Sequence, residues 1–465
     1  MNYISTRGEA PPASFVEAVI AGLAPDGGLY VPQEWPKLSH AEIAAFAGRP
    51  YAEVAAKVIG RFAGDSIDSV VLAEMCEEAY ASFSHTAVAP LKQLSPGGFM
   101  LELFHGPTLA FKDVALQLLA RLYDHSLARR NRRLTIVCAT SGDTGGAAVE
   151  AFRGRRNARI IVLFPEGRIS DVQRRFMTTA DDGNVACLSV KGDFDDCQAI
   201  VKAMFQDTQF ARAVDLSGVN SINFARIAAQ SVYYFTAAVA LGAPHRKVAF
   251  ATPTGNFGDA YSGYVAHRMG LPIERIVVAT NANDILARAL SSGLYARGEA
   301  VATSSPAMDI QAASNFERLY FETSGRDALE TGRAFAAFAA RGVIDIPPKA
   351  LTAMRGLFVG AAVGEADTAR SILVTRNQTG EIVDPHTAVG LAAAARVGPA
   401  DPRTPMVTLS TAHPAKFPET VREATGIEPE APLNVAHLAT RPERFETIGA
   451  DVDAAKDYVR RFARG

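Results

Sequence analysis

Lys112 is the residue whose position first suggests chemistry. It follows a Gly-Pro turn and three apolar residues in FHGPTLAFKD (residues 104–113), where an amphipathic helix pattern begins. A cation at a helix N-terminus is unfavourable because the helix dipole is positive there, and the neighbouring Asp113 offsets only part of this effect. A solvated lysine is the ordinary interpretation. A lysine in apolar surroundings instead has a lowered amine pKa and becomes a nucleophile.

Two strand-to-helix junctions have the composition of anion sites. The segment ATSGDTGGAAVEAF (139–152) places free backbone N–H groups and the hydroxyls of Ser141 and Thr144 where a helix begins. A helix cap with glycines for tight packing explains that segment equally well. In ATPTGNFGDAYSGYVAHRM (251–269), two glycines near Asn256 permit positive φ and close backbone approach, and successive amides can hold a phosphate. Neither segment carries a nucleotide-binding fingerprint.

A third junction, TLSTAHPAKF at 408–417, ends a strand pattern with hydroxyl, imidazole and amine side chains. A lone histidine or lysine at such a place is more often structural than catalytic. The unusual position of Lys112, together with a phosphate loop that lacks a nucleotide motif, suggests a carbonyl cofactor with one phosphate. Pyridoxal phosphate fits, because a lysine can bond to its aldehyde while amides hold its phosphate.

The elements that must position these residues alternate between strand and helix patterns. Apolar, β-branched runs predict strands at 134–140, 158–165, 184–190, 247–253, 275–281, 370–376 and 405–411. Their alternation with helices predicts an α/β fold with parallel sheets flanked by helices on both faces. Roughly the first ninety residues show little strand pattern and form a mainly helical lobe, with helices predicted at 14–24, 40–63 and 68–83.

The composition excludes several classes of protein. The chain has 465 residues, 48% of them hydrophobic and 21% charged, with a net charge of −2. We therefore expect two or three lobes with a large core, and neither a nucleic-acid nor a membrane partner. The four cysteines form no C-x-x-C pair and are expected to be buried, reduced thiols rather than metal ligands. Without a signal-peptide pattern at the start, the expected location is cytoplasmic.

Five motifs resemble those of the threonine synthase family. They are FHGPTLAFKD, ATSGDTGGAA, VNSINFARI, PTGNFGDAYSGY and STAHPAKF, and the opening YISTRGEAPPASFVEAVIAGLAPDGGLYVP is similar as well. The resemblance runs almost end to end. It implies the tryptophan-synthase-like fold type II of pyridoxal phosphate enzymes and the conversion of O-phospho-L-homoserine and water to L-threonine and phosphate. It also implies a monomer or a homodimer.

The resemblance further implies roles for individual residues. Lys112 matches the lysine that bonds to the cofactor, and Thr411 matches the hydroxyl partner of the pyridine nitrogen, with Ser410 as the alternative. The expected cofactor-binding residues are Lys112, Asp143, Gly255, Asn256, Phe257, Gly258, Asp259 and Thr411. The expected substrate-binding residues are Ser141, Thr144, Ser221, Asn223, Arg226 and Lys416. Asp259 replaces an asparagine of some relatives, and its carboxylate would repel a phosphate unless it turns away or caps the next helix.

The plan of the fold implies a small α/β domain at 136–210 inserted into a large cofactor-binding domain formed by 96–135 and 211–465. The mainly helical lobe would then cover 1–95. Two other functions stay open: a threonine or serine dehydratase-like lyase of the same fold, and a non-catalytic, threonine-synthase-like ligand-binding protein. A second group of phosphate-binding candidates, Ser221 and Arg226, favours the synthase.

Overall fold

Four helices and a small antiparallel sheet form the start of the chain. A computed structural model describes residues 1–464. In chain order the first elements are β1 (Asn2–Ser5), β2 (Ala13–Ser14), α1 (Phe15–Ala21), β3 (Tyr30–Pro32), α2 (His40–Ala44), α3 (Tyr51–Ala63) and α4 (Ser69–Tyr80). Strand β1 pairs with both β2 and β3. The prediction of a helical lobe without strands missed this sheet, because its strands are only two to four residues long.

The helix boundaries in this region follow local signals. Ser14 caps α1, because its hydroxyl accepts a hydrogen bond from the Glu17 amide and the Glu17 carboxylate accepts one from the Ser14 amide. The single helix predicted at 40–63 is in fact α2 and α3. The break between them contains Gly48, whose φ is +70°, and Pro50, which precedes the first residue of α3.

The rest of the chain alternates strands and helices through two lobes. The next elements are β4 (Leu91–Gln93), β5 (Gly98–Glu102), α5 (Lys112–Ala128), β6 (Leu134–Ala139), α6 (Asp143–Phe152), β7 (Ala158–Pro165), α7 (Asp171–Thr178), β8 (Val185–Lys191), α8 (Phe194–Gln206), α9 (Thr208–Ala213) and β9 (Leu216–Ser217). They are followed by α10 (Phe224–Ala240), β10 (Val248–Pro253), α11 (Gly258–Met269), β11 (Ile273–Thr280), α12 (Ile285–Ser292), β12 (Leu294–Ala296), α13 (Phe316–Thr323), α14 (Ala328–Arg341) and β13 (Val343–Asp345). The last are α15 (Pro348–Arg355), β14 (Phe358–Ala362), α16 (Glu365–Thr379), α17 (Pro385–Val397), β15 (Met406–Ser410), α18 (Pro418–Thr425), α19 (Leu433–Ala436), β16 (Glu446–Gly449) and α20 (Val452–Arg464).

The large lobe is built on a six-stranded sheet with the order β14-β11-β10-β15-β5-β4. All its strands run parallel except β4, which pairs antiparallel with β5. Helices α5, α10 and α11 contribute many side chains to the main hydrophobic core, which extends from β1 of the N-terminal region into both lobes. A parallel sheet covered by helices places its ligand at the carboxyl ends of the strands.

The small lobe has a five-stranded parallel sheet with the order β16-β8-β7-β6-β9. Its β6 begins at Leu134, and its last strand comes from the C-terminal segment, because β16 pairs with β8. This differs from the expected boundaries, which placed everything after residue 210 in the large domain. The buried side chains of Ala455 and Val459 in α20 join the core cluster of this lobe. The chain therefore enters the small lobe twice.

One predicted strand is wrong. Residues 370–376 (RSILVTR) lie inside α16. The run of Ile, Leu and Val favoured a strand, but the buried positions Thr368, Ile372 and Thr375 have the spacing of one helix face, while Leu373 and Val374 are exposed. The strands predicted at 134–140, 158–165, 184–190, 247–253, 275–281 and 405–411 are confirmed within a few residues.

All four cysteines are buried and free, as predicted. Among the helices of residues 1–464, none combines the length and the apolar character needed to cross a bilayer.

Candidate active site

A cavity of about 490 Å³ lies where the carboxyl ends of β6, β10 and β15 approach one another, so that residues of both lobes form its walls. Ten of the expected site residues line it: Lys112, Ser141, Thr144, Ser221, Arg226, Gly255, Asn256, Gly258, Asp259 and Thr411. Phe257, Asp143, Asn223 and Lys416 are absent from the lining. These residues are far apart in the sequence, and the strands of the two sheets bring them together at one cavity.

Lys112 is the first residue of α5, and its side chain is 12% exposed. The amide of the preceding residue, Phe111, donates to the carbonyl oxygen of Thr411 at 2.8 Å, which fixes the start of α5 against the end of β15. Burial lowers the pKa of the Lys112 amine to about 8; Asp143 opposes this shift, while Lys416 and Arg226 reinforce it. A substantial fraction of the amine is therefore neutral near physiological pH, as a nucleophile requires.

Asp113, next to this lysine, has a structural task. Its carboxylate accepts hydrogen bonds from the Thr108 amide at 2.8 Å and from the Thr108 hydroxyl at 2.6 Å. A Cβ on Gly106 would collide with the Asp113 side chain, which explains the glycine in the Gly-Pro turn. Asp113 thus holds the turn that precedes α5, and the ion pair with Lys112 is formed by Asp143 instead, at 3.7 Å.

The N-terminus of α11 forms a cradle of backbone amides, which we define as residues 255–259. The amides of Gly255, Asn256, Gly258 and Asp259 have no protein acceptor among residues 1–464, and these residues line the cavity. Phe257 adopts a left-handed conformation with φ 62°, and its amide donates to the Thr254 hydroxyl at 3.1 Å. A Cβ on Gly255 would lie 3.0 Å from the Cα of Met308. Four free amides at a helix N-terminus suit a phosphate group.

Phe257 contributes its backbone conformation to this cradle rather than its ring. The ring is fully buried away from the cavity and packs against Phe316 and Phe358, with centroids 6.0 and 5.4 Å away. The expectation that Phe257 helps to form the phosphate loop is therefore supported by its main chain alone. The aromatic side chain anchors the loop in the core of the large lobe.

Asp259 turns its carboxyl group away from the cradle. Its Oδ1 accepts hydrogen bonds from the hydroxyls of Tyr233 and Tyr234, and its Oδ2 is buried without a partner among the described residues. Burial raises the pKa of Asp259 to about 7, although the two tyrosine hydrogen bonds act in the opposite direction. The carboxyl is therefore mostly protonated below pH 7, and its expected repulsion of a phosphate is weakened there.

Asp143 and Lys416 pair with each other behind the cavity wall. The Lys416 Nζ lies 2.8 Å from the Asp143 Oδ1 and donates to the Thr108 carbonyl oxygen, also at 2.8 Å. Burial alone would raise the pKa of Asp143, but Lys416 and then Lys112 outweigh it and hold that pKa well below its usual range. Lys416 was expected to bind the substrate, yet its amine already has two protein partners and does not reach the cavity.

The hydroxyl groups of Ser141, Thr144 and Thr411 line the cavity and are free to bind a ligand. The Thr140 hydroxyl accepts from the amides of Gly142 and Gly145, so the turn before α6 is satisfied without Ser141 and Thr144. The Ser410 hydroxyl bonds to Thr387 at 3.0 Å, which leaves Thr411 as the hydroxyl of this strand end that lines the cavity. This geometry agrees with the choice of Thr411 over Ser410.

Arg226 is a buried cation that lacks a counterion. It is 4% exposed, lines the cavity and makes no side-chain hydrogen bond or ion pair with another described residue. Burial lowers its pKa to about 10. A buried, unpartnered guanidinium is unfavourable by itself, so such a group is typical of a site that receives an anion.

The residues around Arg226 have different tasks. The Ser221 hydroxyl lies 3.3 Å from that of Ser314 at the cavity wall. Asn223 caps α10: its Oδ1 accepts from the Ala225 amide and its Nδ2 donates to the Val19 carbonyl oxygen. Asn223 therefore lies outside the cavity, and the structure does not support its expected contact with substrate. Asn223 immediately precedes α10, one turn before Arg226, and by capping this helix it helps to position the arginine.

His386 and the segment 306–310 are among the parts of the cavity wall that were missed from the sequence. His386 lies at the start of α17, with its Nδ1 2.8 Å from the Asp384 Oδ2, and its Nε2 accepts from the Ala307 amide at 3.2 Å. It thereby holds segment 306–310, which faces the cradle. The Asp-Pro-His start of α17 is a helix-cap pattern that could have drawn attention to His386. The segment 306–310 has no local signal, because tertiary contacts alone place it.

A lysine of lowered pKa at the start of a helix, a cradle of free amides and a hydroxyl at a strand end fit pyridoxal phosphate. Together with two parallel sheets that meet at the cavity, they define a fold type II pyridoxal phosphate enzyme. Three family models match the chain: "Threonine synthase N terminus" at 2–80, "Pyridoxal-phosphate dependent enzyme" at 85–411 and "Threonine synthase, C-terminal" at 387–459. The chain belongs to the threonine synthase family.

Individual relatives agree with this assignment. The chain is similar to threonine synthase from Pseudomonas aeruginosa, with 48% identity over 99% of this chain and 98% of the relative. The crystal structure of pyridoxal-phosphate-bound threonine synthase from Brucella melitensis has a TM-score of 0.98 and 51% identity, and covers 100% of both chains. Threonine synthase from yeast has a TM-score of 0.94 and 38% identity, over 100% of this chain and 99% of the other.

Proposed function

We propose that this protein converts O-phospho-L-homoserine and water to L-threonine and phosphate, as a monomer or homodimer in the cytoplasm. The observation that carries the proposal is the pair of anion sites in one cavity: a cradle of neutral amides at 255–259 and the unpaired guanidinium of Arg226. A dehydratase acting on threonine or serine has one phosphate to bind, that of its cofactor. A phosphorylated substrate requires the second site.

Pyridoxal phosphate, when bound, supplies an aldehyde carbon that bonds to an amine nitrogen and a ring that withdraws electrons from the adjacent carbon. Lys112 would hold that group in the resting protein. The amides of the cradle would bind its phosphate, and the Thr411 hydroxyl would bond to the ring nitrogen. A hydroxyl partner leaves that nitrogen largely unprotonated, in contrast to a carboxylate.

Lys112 has a second task once the substrate amine has replaced its own. Its amine, with a pKa lowered to about 8 by burial, is then a base of suitable strength for the proton on the substrate α-carbon. Overall, the bond between the γ-carbon and the ester oxygen breaks and phosphate leaves with the bonding electrons. The oxygen of water bonds to the β-carbon, and a hydrogen lost from the β-carbon is replaced at the γ-carbon.

Arg226 would bind the phosphate that leaves. A guanidinium offers two parallel N–H donors to a phosphate, and a buried setting strengthens both bonds. Ser141 and Thr144, whose hydroxyls have no partner among the described residues, lie across the cavity in the small lobe and would bind the other polar groups of the substrate. Because both lobes contribute walls, substrate bound between them is shielded from bulk water.

The experiment is an assay of the purified protein with O-phospho-L-homoserine, in which released phosphate and threonine are both measured. We expect the two products in equal amounts and no oxoacid from threonine. Substitution Arg226→Met should lower kcat/KM by at least about 100-fold, because it removes two hydrogen bonds to a charged group, which contribute about 1.5–3 kcal/mol each. Binding of L-threonine, which lacks the phosphate, should change little in this variant.

Arg275→Met is the matched control. Arg275 likewise has an unpartnered Nε, but it is only half-buried and lies near the start of β11, outside the cavity wall. Its removal should leave kcat/KM unchanged. Oxoacid formation from threonine without phosphate release from O-phospho-L-homoserine would favour the dehydratase, and absence of both activities would favour the non-catalytic protein.

A further inference from the structure

Lys416 is a buried lysine whose task the proposed reaction leaves unexplained. It is 1% exposed and belongs to the short turn Pro414–Lys416 that follows β15. Its Nζ contacts the Asp143 carboxylate, the Thr108 carbonyl oxygen and, at 5.2 Å, the face of the Phe176 ring. Burying an ammonium group is unfavourable unless it is paired, so these contacts indicate a specific place for this charge.

Asp143 lies between two amines at unequal distances. Its Oδ1 is 2.8 Å from the Lys416 Nζ, whereas its Oδ2 is 3.7 Å from the Lys112 Nζ. Gln173 donates a further hydrogen bond to Oδ1 at 3.0 Å. Two donors, Lys416 and Gln173, thus hold Oδ1 of this carboxylate, and Lys112 faces only Oδ2, at the longer distance.

We propose that Lys416 is a positioning residue that neutralises Asp143 and holds this carboxylate away from Lys112, so that the Lys112 amine is available as a neutral nucleophile. The proposal rests on the function given above for Lys112. It assigns Lys416 to the control of that amine in place of the expected contact with substrate.

The charges around Lys112 support this assignment. Asp143 is the one carboxylate that acts on the Lys112 amine to keep it protonated, while burial, Lys416 and Arg226 act in the other direction and bring its pKa to about 8. His386 also acts on Asp143, and Asp113 and His413 are further titratable groups that sense Lys416. None of the three makes an ion pair with Asp143.

Removal of Lys416 has a predictable consequence for Lys112. Asp143 would lose its closest cation, and Lys112 would be the remaining amine within ion-pair distance. The loss of repulsion from Lys416 favours the ammonium form of Lys112, and so does a closer approach of the Asp143 carboxylate, which Lys416 no longer holds. A neighbouring full charge shifts a pKa by about 1–3 units, so the neutral fraction near pH 7.5 should fall about tenfold or more.

The test measures the Lys112 amine directly in the full-length chain from which the cofactor has been removed. Competitive labelling with an amine-reactive anhydride from pH 6 to 11, followed by mass spectrometry of the Lys112 peptide, gives its titration midpoint. We expect Lys416→Met to raise that midpoint by about 1 unit or more. Asp143→Asn should lower it, because the sole attracting carboxylate is removed.

Two controls make the outcome specific. Lys416→Arg keeps the positive charge and should restore most of the parent midpoint. Lys456→Met removes a lysine from a similar Lys–Asp pair, 2.7 Å from Asp207, in the small lobe outside the cavity wall, and should leave the Lys112 midpoint unchanged.

The proposal would be overturned if the Lys112 midpoint in Lys416→Met equalled that of the parent protein. It would also be overturned if Lys416→Arg shifted this midpoint as much as Lys416→Met does. If Lys416→Met does not fold, as judged by circular dichroism, an unchanged midpoint in Asp143→Asn would overturn it equally. The labelling does not require the cofactor. If the proposed function of Lys112 were wrong, the Lys112 midpoint would still shift in Lys416→Met, but the holoprotein would carry its cofactor on another residue or not at all.

Discussion

At the scale of single residues, the surroundings of a side chain decide its chemistry more than its type does. Asp259 stands in the 255–259 cradle that we propose to bind a phosphate, where a carboxylate would be harmful, yet two tyrosine hydroxyls hold its carboxyl in the core and burial raises its pKa to about 7. Lys112 shows the opposite case, since burial lowers its pKa to about 8. Both pKa values therefore lie within about one unit of physiological pH, and each group is present there in both its charged and its neutral form.

The raised pKa of Asp259 predicts a pH-dependent stability. Between about pH 4 and 7 the carboxyl ionises in the unfolded chain but stays protonated in the folded one, so its contribution to the free energy of unfolding falls as pH rises. Asp259→Asn removes this effect. Relative to the parent, the variant should gain about 2–4 kcal/mol in unfolding free energy between pH 4 and 8, measured by urea denaturation.

The exposed Asp345 offers a control, since Asp345→Asn should change the pH dependence little. A stability difference between Asp259→Asn and the parent that is constant across this pH range would contradict the assigned protonation state.

The residue types visible in the sequence were enough to single out the 255–259 cradle and Thr411, because each follows a strand pattern directly. Lys112 could be singled out because it follows a Gly-Pro turn where a helix pattern begins. The residue types were not enough for Asn223 and Lys416. Asn223 caps a helix and Lys416 pairs with Asp143, and both contacts join segments distant in sequence. Polar side chains near a site have either catalytic or structural tasks, and only the three-dimensional partners distinguish the two.

At the scale of elements, the strands that carry the site were predictable because they are fully buried. A strand buried on both faces is almost entirely apolar, as in β6, β7 and β10, and differs clearly from its neighbours. The error at 370–376 has the same origin, since three adjacent apolar residues in α16 imitate such a strand. The short strands β1–β3 gave no pattern because they are too brief to show alternation.

The N-terminus of α11 gives a prediction at this scale. Gly255→Ala would add a Cβ 3.0 Å from the Met308 Cα and 3.1 Å from the Ala307 carbonyl oxygen, and both are backbone atoms that cannot easily move. The displaced cradle should bind the phosphate of the cofactor at least about 10-fold more weakly, the effect of losing one hydrogen bond to a charged group. Spectroscopic titration with pyridoxal phosphate measures this affinity.

Gly183→Ala is the control for this substitution. A Cβ at Gly183 meets nothing within 4 Å, so cofactor affinity should equal that of the parent. If Gly255→Ala also bound pyridoxal phosphate with the affinity of the parent protein, the cradle would not be the phosphate site.

At the scale of the whole molecule, the C-terminal segment completes the small lobe. Strand β16 extends its sheet beside β8, and α20 covers one side of its core. Glu443, just before β16, accepts hydrogen bonds from Arg174 at 2.8 and 3.0 Å and from the Thr178 hydroxyl. Sequence patterns did not reveal this return, because pairing between strands more than 250 residues apart leaves no local signal.

The return of the chain predicts that α20 stabilises a lobe made mostly of much earlier residues. Val459→Ala, at a fully buried position of α20, should lower the free energy of unfolding by about 1–3 kcal/mol. Hydrogen exchange should increase in β8 and β16 and not in β10. Leu329→Ala, at a position that is 64% exposed, should stay within about 0.5 kcal/mol of the parent. Unchanged exchange in β8 would contradict this role of α20.

The central claim is that the buried amine of Lys112 carries the cofactor, and its most direct test is chemical. Borohydride reduction of the purified holoprotein, followed by digestion and mass spectrometry, locates the lysine to which the pyridoxyl group becomes fixed. We expect this group on Lys112 alone, and we expect Lys112→Ala to lose both the group and the visible absorbance of the cofactor. A pyridoxyl group on another lysine, or on none, would contradict it.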